Sequence, residues 1–191
     1  MDNSSKIEEA IEYATIMHKG QFRHDGSEYI NHPIRVADYV LKFKNSKQLD
    51  TLIISAYLHD TLEDTNATYY DIIDRFGIDV ASIVLQLTSE KELKKELGKE
   101  KYLKYRMKNM SSWALVIKLC DRLDNVVDLK SSSDEFKDKY IKETIGILDF
   151  VVHNRDLSNT HINIIKQILK EVELVNCLNN DQRIKIKTLI N

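Results

Sequence analysis

The chain has 191 residues, a formal net charge of −2 and a pI near 6.3. That length suffices for one domain with a buried core, and the near-neutral balance excludes a global basic field drawing the chain to nucleic acid. Five Gly and one Pro leave little material for sheet turns, and neither a G-x-G-x-x-G run nor a Walker A loop is present.

Helical periodicity dominates, so the expected class is all-α, with one domain over 1–191. Ile7, Ala10, Ile11, Ala14 and Met17 mark a first apolar face, with His18 at its end. Residues 21–31 are polar and irregular, with Gly26 as the turn residue. Pro33 suits the first position of a second helix, where its missing N–H is unneeded. That puts His32 at the cap and Ile34, Ala37, Val40 and Leu41 on one face. A third helix from about Asp50 carries Leu52, Ala56, His59 and Asp60 at helical spacing. Thr68 and Asp71 form a capping start, Gly77 reads as a helix C-terminal glycine, and Asp79 caps the next helix, with Val80, Ile83, Val84 and Leu87 inward.

Residues 90–110 are rich in Lys and Glu and are either a solvated helix or a flexible excursion. The acids Glu92, Glu96 and Glu100 among the lysines argue against a groove that tracks a nucleic-acid backbone. Ser111-Ser112 cap a helix beginning at Trp113, which places Ala114, Ile117, Lys118, Asp121 and Asn125 on one side. Helices around 135–152 and 159–178 follow, then a short one after Asp181. The longest apolar stretch, 145–152, is broken by Asp149 and falls short of the roughly 20 residues of a membrane span. No basic region followed by an apolar run opens the chain. Cys120 and Cys177, the only cysteines, form no C-x-x-C pair and read as buried free thiols in a reducing compartment. The expectation is a soluble, cytoplasmic protein with no membrane partner; its oligomeric state is not legible.

The most informative feature is the doublet His59-Asp60 followed by Leu62-Glu63-Asp64. An Asp on the apolar stripe of a helix needs a partner, because an unpaired buried charge costs several kcal/mol or more. A metal is one solution; an arginine, Arg122 or Arg23, is another. Asp121 repeats the problem at the end of the apolar run Leu115–Cys120. With His32 upstream, two imidazoles and two carboxylates make a mixed nitrogen and oxygen set suited to a borderline divalent metal such as Mn, Fe or Zn. Such a metal lowers the pKa of water and polarises a phosphoryl oxygen.

His18-Lys-Gly-Gln-Phe-Arg23, Tyr29-Ile-Asn-His32-Pro33, His59-Asp60-Thr61-Leu62-Glu63-Asp64 and Lys118-Leu-Cys-Asp121-Arg122-Leu-Asp-Asn125 together resemble the HD-superfamily alarmone hydrolases of the RelA/SpoT type. The likeness runs from about residue 5 to about residue 150, ahead of C-terminal helices in 151–191. It implies a single HD-domain helical bundle, a stand-alone hydrolase that removes the 3′-pyrophosphate of the nucleotides ppGpp and pppGpp, usually with Mn²⁺. It implies His32, His59, Asp60 and Asp121 as metal ligands and Glu63 and Asp64 as the acidic catalytic pair. Arg23 corresponds to the residue that packs on guanine and Asn125 to a position near the ribose or leaving group; Lys118 is either a substrate contact or a lysine that snorkels from an apolar helix. Tyr29 and His18 shape the wall of the pocket, with a core or capping role equally open for His18. Lys139 and Lys142 lie where the family has basic residues.

Three departures stand out: His24 where Lys is general, Ser27-Glu28 for Glu-Pro, and Val127-Asp128 for Arg-Thr. The first puts base preference in question and motivates one alternative, another nucleotide or a phosphorylated dinucleotide cofactor as substrate. A nucleotide-binding helical protein without catalysis is a separate alternative, against which the complete ligand set speaks.

Overall fold

A computed structural model describes residues 3–175 and 178–190, apart from the side chains of 3, 4 and 190; Cys177 lies outside the described residues. Its described elements are helical: α1 (Asn3–Met17), α2 (Asn31–Phe43), α3 (Leu49–Leu58), α4 (Thr61–Asp64), α5 (Tyr69–Phe76), α6 (Ile78–Leu87), α7 (Lys91–Leu97), α8 (Lys99–Asn109), α9 (Ser112–Val127), α10 (Asp134–Asn154), α11 (Asn159–Leu174) and α12 (Asn180–Ile190), with a 3-10 turn at Asp128–Ser131. The all-α class is therefore correct. Among the described residues no helix is long and apolar enough to cross a membrane.

The chain divides into two compact units, one made of residues up to Ser89 with Ser111–Cys120, the other of Glu90–Met110 with Asp121 onward. In the first unit α3 packs against α1, α2 and α6. Leu52, Ile53, Ile54, Ser55, Ala56 and Leu58 are buried, so this helix is enclosed nearly all round, as a helix without a polar face must be. Ala10 and Ala14 of α1 join Ile54, Leu58, Ile72, Val80, Ala81 and Val84 in one core cluster. Thr68 and Asp71 form the expected capping box, Thr68 N–H donating to Asp71 Oδ2 at 2.8 Å and Asp71 N–H to Thr68 Oγ1 at 3.2 Å.

Gly77, at φ +85°, ends α5, its N–H bonded to Ile73 O at 2.9 Å. It also stands at the cap of α6, which starts at Ile78. Asp79 is therefore inside the first turn rather than at the cap, where its charge still favours the helix dipole. Pro33 is likewise the third helical residue, not the first, because α2 begins at Asn31; that position is still within the turn that lacks intrahelical N–H partners. Leu41 is 56% exposed and leaves the inward face of Ala37 and Val40.

In the second unit α8 and α10 pack together, and α12 meets α10 and α11. The 90–110 segment is two helices. Tyr102, Leu103 and Met107 bury one side of α8, so it is neither wholly solvated nor an excursion. A Cβ at Gly146 in α10 would come within 2.7 Å of Glu100 Oε1, the far end of a flexible side chain that can move aside. Arg122 is 5% exposed. Its Nη1 donates to Glu143 Oε1 at 2.9 Å and Thr144 Oγ1 at 3.2 Å, and its guanidinium lies 4.8 Å from the Tyr140 ring centre. Burial pushes the Glu143 carboxyl up, but the Arg122 and Lys99 charges more than reverse this and hold it below its ordinary value.

Candidate metal centre

The doublet does not continue α3 as its spacing predicted. α3 stops at Leu58, His59 is its C-cap, and Asp60 is the N-cap residue of the one-turn α4. Thr61 Oγ1 donates to Leu58 O at 2.7 Å and secures the break. The break lets two adjacent residues point to one place, which neighbours 100° apart on a straight helix do not do.

His59 is 1% exposed. Its Nδ1 bonds Ala56 O at 2.8 Å, which assigns the ring proton to Nδ1 and leaves the lone pair on Nε2. Among the described residues Nε2 is buried with no hydrogen-bond partner. A backbone carbonyl fixing one ring nitrogen while the other stands bare is the usual arrangement of a metal-ligating histidine. Asp60 Oδ2 lies 3.0 Å from that Nε2 and 3.7 Å from His32 Nε2, and accepts a 2.6 Å hydrogen bond from the Tyr29 hydroxyl. The His32 and His59 rings cross edge to face with centres 5.1 Å apart.

α9 runs unbroken past Cys120, and the next residue on it is Asp121, 8% exposed. His32, His59 and Asp121 each offer one ligand atom, and these three lie within 4.8 Å of one another. They form a possible metal site, with Asp60 beside its histidines but outside that three-residue set. Asn125 Nδ2 donates to Asp121 Oδ1 at 2.6 Å and to Asp121 O at 3.0 Å, which fixes the carboxylate. The Arg122 guanidinium is taken by Glu143.

Glu63 and Asp64 occupy α4 and line one open cleft of about 660 Å³ with Ile16, Met17, Gln21, Thr65 and Asn66. Ser89 N–H donates to Glu63 Oε2 at 2.9 Å. Asp64 is raised above the ordinary aspartate value by desolvation and by the charges of Asp60 and Glu63. His18 is 2% exposed, and burial lowers its pKa; its ring lies 4.8 Å from that of Tyr29.

Residues 21–29 are less irregular than their composition implied. A single antiparallel bridge joins Phe22 and Glu28, with Arg23 N–H on Ser27 O at 2.8 Å and Tyr29 N–H on Gln21 O at 3.0 Å. This folded strap sets the Arg23 guanidinium 5.8 Å from the Tyr29 ring centre and leaves His24 exposed. Lys118 is half-buried on α9, whereas Lys139 and Lys142 are exposed on α10. Three contacts escaped the sequence reading: Gln21 behind α4, Ser89 on Glu63, and Glu143 on Arg122. Gln21 lies within the His18–Arg23 motif, whereas the other two contacts join residues 26 and 21 positions apart, with no local pattern to reveal them.

The family model described as "HD domain" matches residues 10–156. The chain belongs to the HD-domain family. Its relatives include the guanosine-3′,5′-bis(diphosphate) 3′-pyrophosphohydrolase MESH1 of Drosophila melanogaster, 35% identical over 153 residues, or 76% of this chain and 84% of that protein. MESH1 of Xenopus tropicalis is 37% identical over 135 residues, 70% of this chain and 74% of its own length. The chain is 38% identical over 160 residues to the Aquifex aeolicus 3′-pyrophosphohydrolase; that match covers 79% of this HD-domain chain but 22% of the Aquifex protein. Among solved structures, one described as a metazoan ortholog of SpoT that hydrolyzes ppGpp aligns with a TM-score of 0.76 at 27% identity, over 91% of this chain and 97% of that one.

Proposed function

We propose that this HD-domain protein is a cytoplasmic, Mn²⁺-dependent hydrolase of the 3′-pyrophosphate of ppGpp and pppGpp, yielding GDP or GTP and pyrophosphate. The observation that carries the reading is the buried Nε2 of His59, which makes no hydrogen bond among the described residues and stands within reach of His32, Asp60 and Asp121, one turn from an acidic pair. The MESH1 relatives, matched over most of their length, support the substrate. The reading treats 1–191 as one catalytic domain, which the family match across 10–156 supports.

His32, His59, Asp60 and Asp121 would hold the metal, two nitrogens and two carboxylates being a donor set that suits Mn²⁺. Bound there, the metal supplies Lewis-acid polarisation of a phosphoryl oxygen and eases deprotonation of water. The Tyr29 hydroxyl and the Ala56 carbonyl keep Asp60 and His59 in place, and Asn125 does so for Asp121. A Glu63 or Asp64 carboxylate takes the proton from the attacking water, the task of a general base within hydrogen-bond reach. A new P–O bond to the water oxygen replaces the bond to the ribose 3′-oxygen, and that oxygen leaves with a proton. Arg23 offers a planar cation for stacking on the base, steadied by Tyr29, with His24 beside it. Lys118, Asn125, Lys139 and Lys142 are assigned to the sugar and phosphates. The substrate is thus a free nucleotide rather than a nucleic acid.

The test is kcat/KM, with Mn²⁺ present, for ppGpp, pppGpp, GDP and a phosphorylated dinucleotide. The reading predicts ppGpp and pppGpp as the best substrates, with pyrophosphate released. A dinucleotide turned over faster than ppGpp would replace it and make His24 the residue to examine.

A further inference from the structure

α4 is a single turn of four residues. One turn has little stability of its own, since nucleation is unfavourable and the last carbonyls of a helix have no partner inside it; here Thr65 caps Thr61 O with its N–H and its hydroxyl. Yet it carries Glu63 and Asp64, so something outside it must fix its direction. On the inner side, Asp64 N–H reaches Asp60 O at 3.0 Å and Thr65 N–H reaches Thr61 O at 3.2 Å. Asp64 O is reached from another element altogether: Gln21 Nε2 donates to it at 2.7 Å.

Gln21 is held for this task. Its Oε1 faces His18 Nδ1 at 2.8 Å. Because its Nε2 already donates to Asp64 O, Oε1 is the acceptor and His18 Nδ1 the donor. His18 is buried and stacked near Tyr29, whose hydroxyl holds Asp60. The Gln21 backbone is fixed as well, its N–H on His18 O and its carbonyl on Tyr29 N–H, both at 3.0 Å. One side chain therefore joins the end of α1, the 21–29 strap and the acidic turn.

We infer that Gln21 is a positioning residue that sets the Glu63-Asp64 pair by holding the Asp64 carbonyl. The inference rests on the hydrolase reading for its kinetic part and on geometry alone for the tether. Gln21→Glu keeps an acceptor for His18 but has no hydrogen for Asp64 O; Gln21→Met keeps the length and loses both bonds.

The experiment compares both variants with the wild-type full chain in three readouts: hydrogen exchange at the Asp64 and Thr65 amides, Mn²⁺ uptake by calorimetry, and ppGpp kinetics. Exchange should quicken by about tenfold and kcat fall by roughly 10- to 100-fold, with KM within about threefold, as expected when a reacting group is misplaced by an ångström or less. Mn²⁺ uptake should stay at the wild-type level. Unchanged exchange, or faster exchange with unchanged kcat, overturns the inference. So does a raised KM at intact kcat, which would make Gln21 a substrate contact, or loss of the metal, which would make it merely structural. A wild-type chain that takes up Mn²⁺ and leaves ppGpp intact overturns the hydrolase reading instead, and exchange then decides the tether by itself.

Discussion

Replacing Glu143 by Gln removes the charge it presents to Arg122 and, at 3.1 Å, to Lys99, while preserving shape and an acceptor oxygen. The Arg122 side chain is 6% exposed and that of Glu143 12%, so water does little to compensate for a lost charge. Removing one partner of a buried pair costs about 3–5 kcal/mol. Here Thr144 Oγ1 and the Tyr140 ring remain with Arg122, and the new amide still accepts a hydrogen bond, so the loss should fall at or just below the low end of that range, about 2–3 kcal/mol. For a chain of this length that is a fall in Tm of roughly 5–10 °C, measured by circular dichroism melting and cross-checked by urea unfolding. Arg122→Met with Glu143→Leu should recover much of it, since an apolar pair avoids the desolvation cost.

Acid should act on the wild type in the same way. The folded-state pKa of Glu143 is depressed, so its contribution is present above the ordinary carboxylate value and disappears as pH falls through the lowered folded value. The Gln variant should lack that part of the acid dependence. A Tm within about 1 °C of wild type near neutral pH, under 0.5 kcal/mol by the same scaling, would refute the argument that Arg122 depends on a buried counter-charge.

Asp121→Ala should abolish both Mn²⁺ binding and turnover; calorimetry showing undiminished metal uptake would remove Asp121 from the ligand set. Glu63→Gln should bind metal normally and lose about 10²- to 10⁴-fold in kcat; if it fails to take up metal instead, Glu63 belongs to the metal shell. Tyr29→Phe deletes the donor to Asp60 Oδ2, and metal affinity should drop by about 10- to 100-fold, read from competition with a chelating dye. Leu58→Ala, in the core cluster beneath the doublet, should cost about 2–5 kcal/mol in urea unfolding.

Much of the fold was legible because its signals are local. The 3.6-residue apolar spacing located most of the helices, and Thr68-Asp71 and Gly77 marked the ends of α5. Where two signals overlap, a boundary shifts: Gly77 serves both the end of α5 and the start of α6, so Asp79 falls inside the first turn rather than at the cap. The spacing of the doublet matches a continuation of α3, because periodicity does not reveal a helix that breaks and restarts within three residues. Tyr102, Leu103 and Met107 were diluted by the surrounding Lys and Glu, so the buried side of α8 did not show. For the site, the motifs named the residues and the family. The contacts that orient them, such as Ala56 O on His59, Ser89 N–H on Glu63 and Gln21 on Asp64, are mostly backbone groups, which carry no side-chain signature.

The most direct test of the central claim is ppGpp turnover by purified protein after metal removal, followed by Mn²⁺ add-back, with Asp121→Ala in parallel and products resolved by chromatography. The account predicts GDP and pyrophosphate only from metal-loaded wild type. Equal turnover in chelator, or in the Asp121→Ala protein, would contradict it.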